Sequence, residues 1–182
     1  MLDPADYEQL ASITRQLPGV EKGVTYTRFV RKDIIQVYGE GSEFQIGKGV
    51  VLHESENDVA TIITSGIMVD EALKAYEALQ AEGINVRVVD MFTWKPLDTE
   101  LVIKCAKETG AIVTAENHQL IGGLTSAVCE VLAENGVGVA METIGIRDEF
   151  GEVGDQNYLM ERFQLTAPYI TEAVRKAVAK KA

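Results

Sequence analysis

Short runs of β-branched and apolar residues alternate with longer amphipathic stretches from about Gly49 to the end of this 182-residue chain. The run "DVATIITSG" (58–66) is almost continuously apolar, which is typical of a strand buried on both faces of a parallel sheet. The stretch "MVDEALKAYEALQAEG" (68–83) repeats its apolar residues with helical period and stops at a glycine. Repetition of this unit predicts an α/β fold with helices on both faces of a parallel sheet.

The other predicted elements follow the same alternation. A strand at 47–55 is joined to the next by a polar turn too short for a crossover helix, so we expect this first strand to run antiparallel to its neighbour. Asp98 and Gly110 predict the N-cap and the stop of one helix. Further strands are predicted at 84–91, 111–116 and 137–146, further helices at 122–135 and 166–182, and a charged, irregular surface stretch with a short helix at 147–163.

The chain has a different character before Gly49. Residues 3–19 read as a helix with a Pro-Gly stop, and "GVTYTRFVR" (23–31) reads as a strand ending in arginine. One helix and one strand cannot bury a core of their own, so we interpret residues 1–40 as the end of a preceding domain with a linker. The main domain is then predicted at residues 41–182.

Composition excludes several classes of function. The net charge is -11, with 17 Lys and Arg against 28 Asp and Glu, which opposes binding to nucleic acid or to an anionic membrane. No apolar stretch approaches the ~18 residues of a membrane span, and the first residues are acidic, so a cytoplasmic protein is expected. Cys105 and Cys129 read as buried thiols. His53 and His118 lie far apart in sequence, so no metal site is expected.

Six stretches, taken in order and with their spacing, carry a family resemblance: "YTRFVRK", "FQIGKGVVL", "TIITSG", "INVRVVDMFTWKPLD", "TAENHQLIGGLTSAV" and "YITEAVRKAV". On them the chain resembles the C-terminal part of transketolase, and especially the separately encoded C-terminal subunits of split transketolases. 1-Deoxyxylulose-5-phosphate synthase and the β subunits of 2-oxoacid dehydrogenases are more distant relatives. "KPLD" and "ENHQLIGG" argue against the dehydrogenase subunit.

The resemblance implies a three-layer α/β/α fold with a five-stranded mixed sheet whose first strand is antiparallel. It implies that residues 1–40 are the end of a pyrimidine-binding domain plus a linker, and that 41–182 are the transketolase C-terminal domain. The complete enzyme would use thiamine diphosphate and a divalent metal (Mg or Ca) to move a two-carbon ketol unit between sugar phosphates. The C-terminal domain would contribute to dimer assembly.

The family's metal-binding signature is missing from this sequence. The most similar stretch, "GDQN" (154–157), follows no predicted strand. We therefore expect no catalytic residue, no metal and no cofactor in this chain alone. The expected partners are a second copy in a homodimer, the N-terminal transketolase subunit or domains, and sugar phosphates in the complete enzyme.

The resemblance assigns Arg31 to the phosphate of the sugar substrate, a role that suits the planar guanidinium. The alternative is a solvated arginine at a strand end. Arg28, three residues earlier, would point from the opposite face of the strand and is interpreted as structural. For His118 we weigh a hydrogen-bonded interface residue against a catalytic one. For Phe92 and Trp94 we weigh a partner surface against the domain's own core.

The double glycine Gly122 and Gly123 has two interpretations. It either forms a tight turn that lets the next helix pack closely, with Thr125 or Ser126 as the cap, or it opens an anion site at the helix N-terminus. The first fits an assembly module of transketolase. The second fits a free-standing regulatory domain that binds an anionic metabolite at residues 122–126.

Overall fold

The computed structural model describes residues 1–20, 23–30 and 34–181. Within these residues five strands form one sheet in the order β1-β3-β2-β4-β5. β1 is antiparallel to β3, and the other neighbouring pairs are parallel. The mixed sheet and its antiparallel first strand are as predicted. The strands are β1 (Val50–His53), β2 (Ala60–Thr64), β3 (Val86–Asp90), β4 (Ala111–Gln119) and β5 (Ala140–Ile146).

Helices cover both faces of the sheet, which confirms the predicted three-layer fold. The helices are α1 (Tyr7–Gln16), α2 (Met68–Ala81), α3 (Thr99–Thr109), α4 (Leu124–Glu134), α5 (Gln156–Arg162) and α6 (Ala167–Ala179). α2 and α6 share one buried apolar cluster with the sheet, and α3 and α4 share another. Along β4, Val113 enters the first cluster and Ile112 the second, because successive side chains of a strand point to opposite faces.

The ends of α3 follow from two residues that the sequence marks. The Asp98 side chain accepts a hydrogen bond from the Leu101 N–H and caps the first turn. Gly110 ends the helix in the left-handed conformation, at φ 67°. A residue without a β-carbon adopts this conformation at little cost, which is why the helix stops there.

The N-terminal part differs from the prediction in one respect. α1 forms and is capped by Asp6, but in the described part of 23–31 the expected strand is reduced to a single bridge between Leu2 and Thr27. Among the described residues no strand pairs with Val24 or Phe29, and both side chains are exposed. Leu2, Ile13 and Phe92 form a third small core, which attaches α1 to the sheet. The domain boundary near residue 40 stays a prediction.

The burial of two aromatic residues and two cysteines can be compared with the sequence-based expectations. Phe92 and Trp94 are buried in the domain's own cores rather than offered to a partner. Cys105 is buried as expected, but the expectation for Cys129 was wrong, because Cys129 is exposed. The buried stripe of α4 runs through Leu124, Val128, Val131 and Leu132, and Cys129 falls outside it. None of the helices described here is both long enough and apolar enough to cross a membrane.

Candidate functional site

The carboxyl ends of the parallel strands β2, β3 and β4 meet at one edge of the sheet, and open α/β sheets place their ligands outside this edge. In this chain residues 2–16, which we call the N-terminal segment, lie across that edge. The Asp3 N–H donates to the Phe92 carbonyl at 2.7 Å, and the Gly66 N–H donates to the Asp3 carbonyl at 3.0 Å. The chain thus covers its own candidate crevice.

Asp3 ties the N-terminal segment to two other parts of the chain. Its carboxylate is buried and accepts from the Ser65 hydroxyl at 2.7 Å. The Arg28 guanidinium donates to both carboxylate oxygens, from Nε at 3.1 Å and from Nη2 at 2.9 Å. Such two-point, charge-assisted contacts are among the stronger hydrogen bonds in proteins, and they fix orientation as well as position.

Arg28 also reaches the end of β4. Its Nη1 donates to the Asn117 carbonyl at 3.1 Å, and its Nη2 donates to the Asn117 side-chain oxygen. The guanidinium lies 5.4 Å from the centre of the Trp94 ring, and the Trp94 indole N–H donates to the Ser65 hydroxyl at 2.9 Å. Arg28 therefore has a structural role in this network, and that role comes from these contacts rather than from a position on a strand face.

A second set of contacts surrounds Asp90 at the end of β3. The Gln9 side-chain amide donates to Asp90 Oδ2 at 2.7 Å, and the Tyr38 hydroxyl donates to the same oxygen at 2.6 Å. Asp6 caps α1 and also accepts from the N–H groups of Val37 and Tyr38. Residues 37–38 are thereby fastened to the same edge of the sheet.

The double glycine leaves room for a carboxylate of this chain at the start of α4. Glu116, buried at the end of β4, accepts from the Leu124 and Thr125 N–H groups at 2.8 Å each. A β-carbon on Gly123 would overlap the Glu116 carboxylate and the Gln119 carbonyl. Burial raises the pKa of Glu116, and the bonds from the Thr125 and Leu124 N–H groups counteract part of that rise. The N-terminus of α4 thus already holds an anion that belongs to the chain.

Thr125 and Ser126, the two residues expected to cap α4, make other hydrogen bonds instead. The Thr125 hydroxyl pairs with the Thr114 hydroxyl at 2.7 Å. The Ser126 hydroxyl accepts from the Gly122 N–H at 2.8 Å and donates to the Leu120 carbonyl at 3.0 Å. Glu116 replaces them as the cap because its carboxylate reaches two N–H groups at once. Ser126 instead closes the turn through Gly122.

His118 and Arg31 complete the set of predicted site residues. His118 is half-buried, with Nδ1 3.2 Å from the Gln119 carbonyl oxygen and its ring edge-on to Trp94 at 5.8 Å between centres. It lies on the outside of the Arg28 network rather than beside a nucleophile. Arg31 falls outside the described residues. No group of three or more His, Cys, Asp or Glu side chains in the described part of the chain could hold a metal ion, so these donors do not fit the family's divalent metal.

Comparison with known proteins places the chain in a family. A sequence-family profile described as transketolase, C-terminal domain, matches residues 47–170. The chain belongs to the transketolase C-terminal domain family. It is 43% identical over 179 residues to the 6-deoxy-6-sulfo-D-fructose transketolase subunit SqwH of Clostridium sp. (strain MSTE9), covering 98% of this chain and 54% of that subunit. It is 34% identical to human transketolase, covering 91% of this chain and 26% of that enzyme.

A solved structure supports the same assignment. A chain of a split gene transketolase, described as an inactive beta4 tetramer, superposes on this one with a TM-score of 0.93 at 42% identity. The match covers 100% of this chain and 58% of that one. This transketolase domain therefore spans a little over half the length of the split-type subunits that it matches.

Sequence reasoning missed the carboxylates that organise the site. Asp3 and Asp6 look like ordinary acidic residues of an N-terminus, and their roles at the sheet edge come from contacts with residues 25 or more positions away. Asp90 and Glu116 did carry a signal. Each is an acidic residue at the carboxyl end of an apolar strand, where burial of a carboxylate is unfavourable unless hydrogen bonds stabilise it.

Replacing Gly123 tests the internal cap. Gly123→Ala should lower the free energy of unfolding by about 1–3 kcal/mol, because the new methyl group displaces the Glu116 carboxylate and uncaps α4. Gly138→Ala is the matched control, since a β-carbon there has no atom within 4 Å. Urea unfolding followed by circular dichroism measures both. Equal small effects would contradict the assigned role of Gly123.

Replacing Arg28 tests the network around Asp3. Arg28→Ala should cost about 2–3 kcal/mol of unfolding free energy, because it leaves the buried Asp3 carboxylate without its cation. Arg28→Lys keeps the charge but loses the two-point contact, so an intermediate loss is expected. A urea titration of the three proteins checks the order. The assignment fails if Arg28→Ala is as stable as the native chain.

Proposed function

We propose that this chain is the C-terminal assembly module of a thiamine-diphosphate-dependent transketolase and is inactive by itself. The observation that carries the proposal is the filled carboxyl edge of the sheet. The crevice in which an open α/β sheet would bind a ligand holds Asp3, Gln9 and Asp90 instead, bonded to one another or to neighbouring parts of the chain. Such an edge suits a domain that supports an active site located elsewhere.

The assembly role is supported by exposed apolar side chains near the N-terminal segment. Val24, Tyr26 and Phe29 are all largely exposed, and they lie within one stretch of six residues. Clustered exposed apolar residues commonly mark a surface that a partner covers. We propose that the partners are a second copy of this chain and the N-terminal transketolase subunit or domains.

The competing function, a regulatory domain that binds an anionic metabolite at residues 122–126, has no support. The Leu124 and Thr125 N–H groups would be its anion donors, and both already bind Glu116. The Gly122 N–H is bonded to Ser126. Thiamine diphosphate and its metal (Mg or Ca) are assigned to the remainder of the enzyme, since the described donors do not fit a metal.

We propose the substrate class from the relatives. Transketolases act on sugar phosphates, and the SqwH relative is named for a sulfo-sugar. Phosphate and sulfonate are both tetrahedral anions with oxygen acceptors that a guanidinium can bind. We propose that Arg31 supplies this contact in the assembled enzyme.

Complementation tests the proposed module. The chain alone should show no two-carbon transfer from a ketose phosphate in the presence of thiamine diphosphate and Mg²⁺. Mixed with the N-terminal subunit and pyrimidine domain of a split-type relative, it should co-elute with them and restore transfer. The assay is a coupled spectrophotometric rate, with size-exclusion chromatography as the measure of association. Turnover by the chain alone would contradict the proposal.

The role of Arg31 has its own test in the assembled enzyme. Arg31→Ala should raise the KM for the phosphorylated or sulfonated sugar by about 10–100-fold, because a charged contact worth ~1.5–3 kcal/mol is lost. Arg15→Ala, an exposed arginine at the end of α1, is the control and should leave KM unchanged. Steady-state kinetics with both variants measure the difference. Equal KM values for the two variants would remove Arg31 from the substrate site.

A further inference from the structure

Asp90 is the most deeply buried acid of the junction between the sheet and the N-terminal segment. Its side chain is fully buried, and both of its hydrogen bonds go to one oxygen, Oδ2. The other oxygen, Oδ1, is buried and has no hydrogen-bond partner among the described residues. A carboxylate in this setting has lost its water and recovered only part of its hydrogen bonding.

The two hydrogen-bond donors come from the part of the chain that covers the sheet edge. Gln9 lies on α1, and Tyr38 lies in the connection between α1 and β1. Both are therefore outside the layers that form the main cores. If the N-terminal segment and its connection lift from the edge, Asp90 loses both donors and meets water.

The charged groups near Asp90 do not stabilise its ionised form. Asp3 and Asp6, from the N-terminal segment, are the nearby carboxylates, and Arg28 is bonded to Asp3 rather than to Asp90. Burial raises the pKa of Asp90 to about 7, with Asp3 and Asp6 adding to the rise and the bonds from Tyr38 and Gln9 opposing it. Burial and the Asp90 charge also raise the pKa of Tyr38, so the phenol keeps its proton and remains a donor.

We propose that Asp90 is a proton-linked latch, which holds the N-terminal segment on the sheet edge most firmly when its carboxyl is protonated. Ionisation while the junction is closed places an uncompensated charge beside two other carboxylates. Opening the junction relieves this cost, because water then solvates the charge. The latch depends on geometry within this chain and does not rest on the proposed transketolase function.

The direction of the pH dependence follows from linkage. The pKa of Asp90 is about 7 in the closed state and near its ordinary value of 3.8 once the group is hydrated. The stabilisation of the closed state is therefore complete below pH 4 and is lost as pH rises towards 7. Between these limits the equilibrium constant for opening should rise by up to about tenfold per pH unit, and above about pH 7 it should level off.

Hydrogen exchange on the full chain tests the latch. Mass spectrometry of α1 peptides from pH 5 to 8, with each rate divided by the intrinsic exchange rate, gives the opening constant of the N-terminal segment. We expect this constant to rise with pH and then to level off. The α3 peptides serve as an internal reference, because α3 packs in a core that does not include the latch. Their corrected exchange should not change with pH.

Two variants and one control separate the latch from general acid sensitivity. Asp90→Asn cannot ionise and should make the α1 profile flat. Tyr38→Phe removes a donor that favours the ionised form, so the point at which the profile levels off should move to higher pH. Asp98→Asn alters another buried aspartate, the cap of α3, and should keep the native profile. If Asp90→Asn fails to fold, Tyr38→Phe decides.

Four outcomes would overturn the proposal. A flat α1 profile in the native chain would show that closing does not take up a proton. A native slope retained in Asp90→Asn, or an unmoved profile in Tyr38→Phe, would assign the proton to another group. Equal slopes in α1 and α3 would show that the proton is linked to unfolding of the whole domain rather than to release of the N-terminal segment.

Discussion

The contact between Asp3 and Arg28 is the interaction on which the covered sheet edge depends. It joins the first residues of the chain to the 23–30 stretch, and through Asn117 and Ser65 it reaches the ends of β4 and β2. The turn after β2 must have a glycine at position 66 for the Asp3 carboxylate to lie so close to it. A β-carbon on Gly66 would lie 2.7 Å from Asp3 Oδ2, closer than real contacts of this kind.

The same device occurs at a second turn of the sheet. Gly123 admits Glu116 to the start of α4 as Gly66 admits Asp3 to the turn before α2. Glycine turns between a strand and a helix are the places where many α/β proteins receive a phosphate. In this domain the chain supplies the negative charge itself. At the Gly123 turn the Leu124 and Thr125 N–H groups are bonded to the Glu116 carboxylate and are not free for an external anion. At the Gly66 turn the Asp3 carboxylate is bonded to Ser65 and Arg28, and the Gly66 N–H is bonded to the Asp3 backbone carbonyl.

The sequence predicted the repeating part of the fold and much less of the junction. The limits of α3 followed from Asp98 and Gly110, because a cap and a left-handed stop are local signals. The antiparallel β1 followed from a connection too short for a helix. The predicted strand at 23–31 was wrong in its described part, because its alternating pattern has no neighbouring strand with which to pair. A strand needs a partner, and sequence pattern alone does not supply one.

The candidate site could be predicted only in outline, for a related reason. Gly123 was visible as one of a pair of glycines, and Glu116 as an acidic residue at the end of an apolar strand, but the sequence does not show that the two meet, because that depends on how β4 and α4 pack. Contacts such as that between Gln9 and Asp90 span 81 positions and leave no periodic trace. Local signals determine where elements begin and end, whereas the pairing of buried charges depends on how distant elements meet.

The edge of the sheet at β5 limits how such a domain can assemble. The outward carbonyl of Met141 accepts from the Lys180 side chain at 3.2 Å, and that of Thr143 accepts from Arg147 at 2.9 Å. Long cationic side chains on an edge strand oppose its extension by another strand. Strand addition at β5 is therefore opposed, and the exposed apolar residues Val24 and Phe29, on the segment that the Asp3 and Arg28 contact holds in place, offer a side-chain surface for the association proposed here. The buried charges of the junction thus position the surface through which the domain would meet its partners.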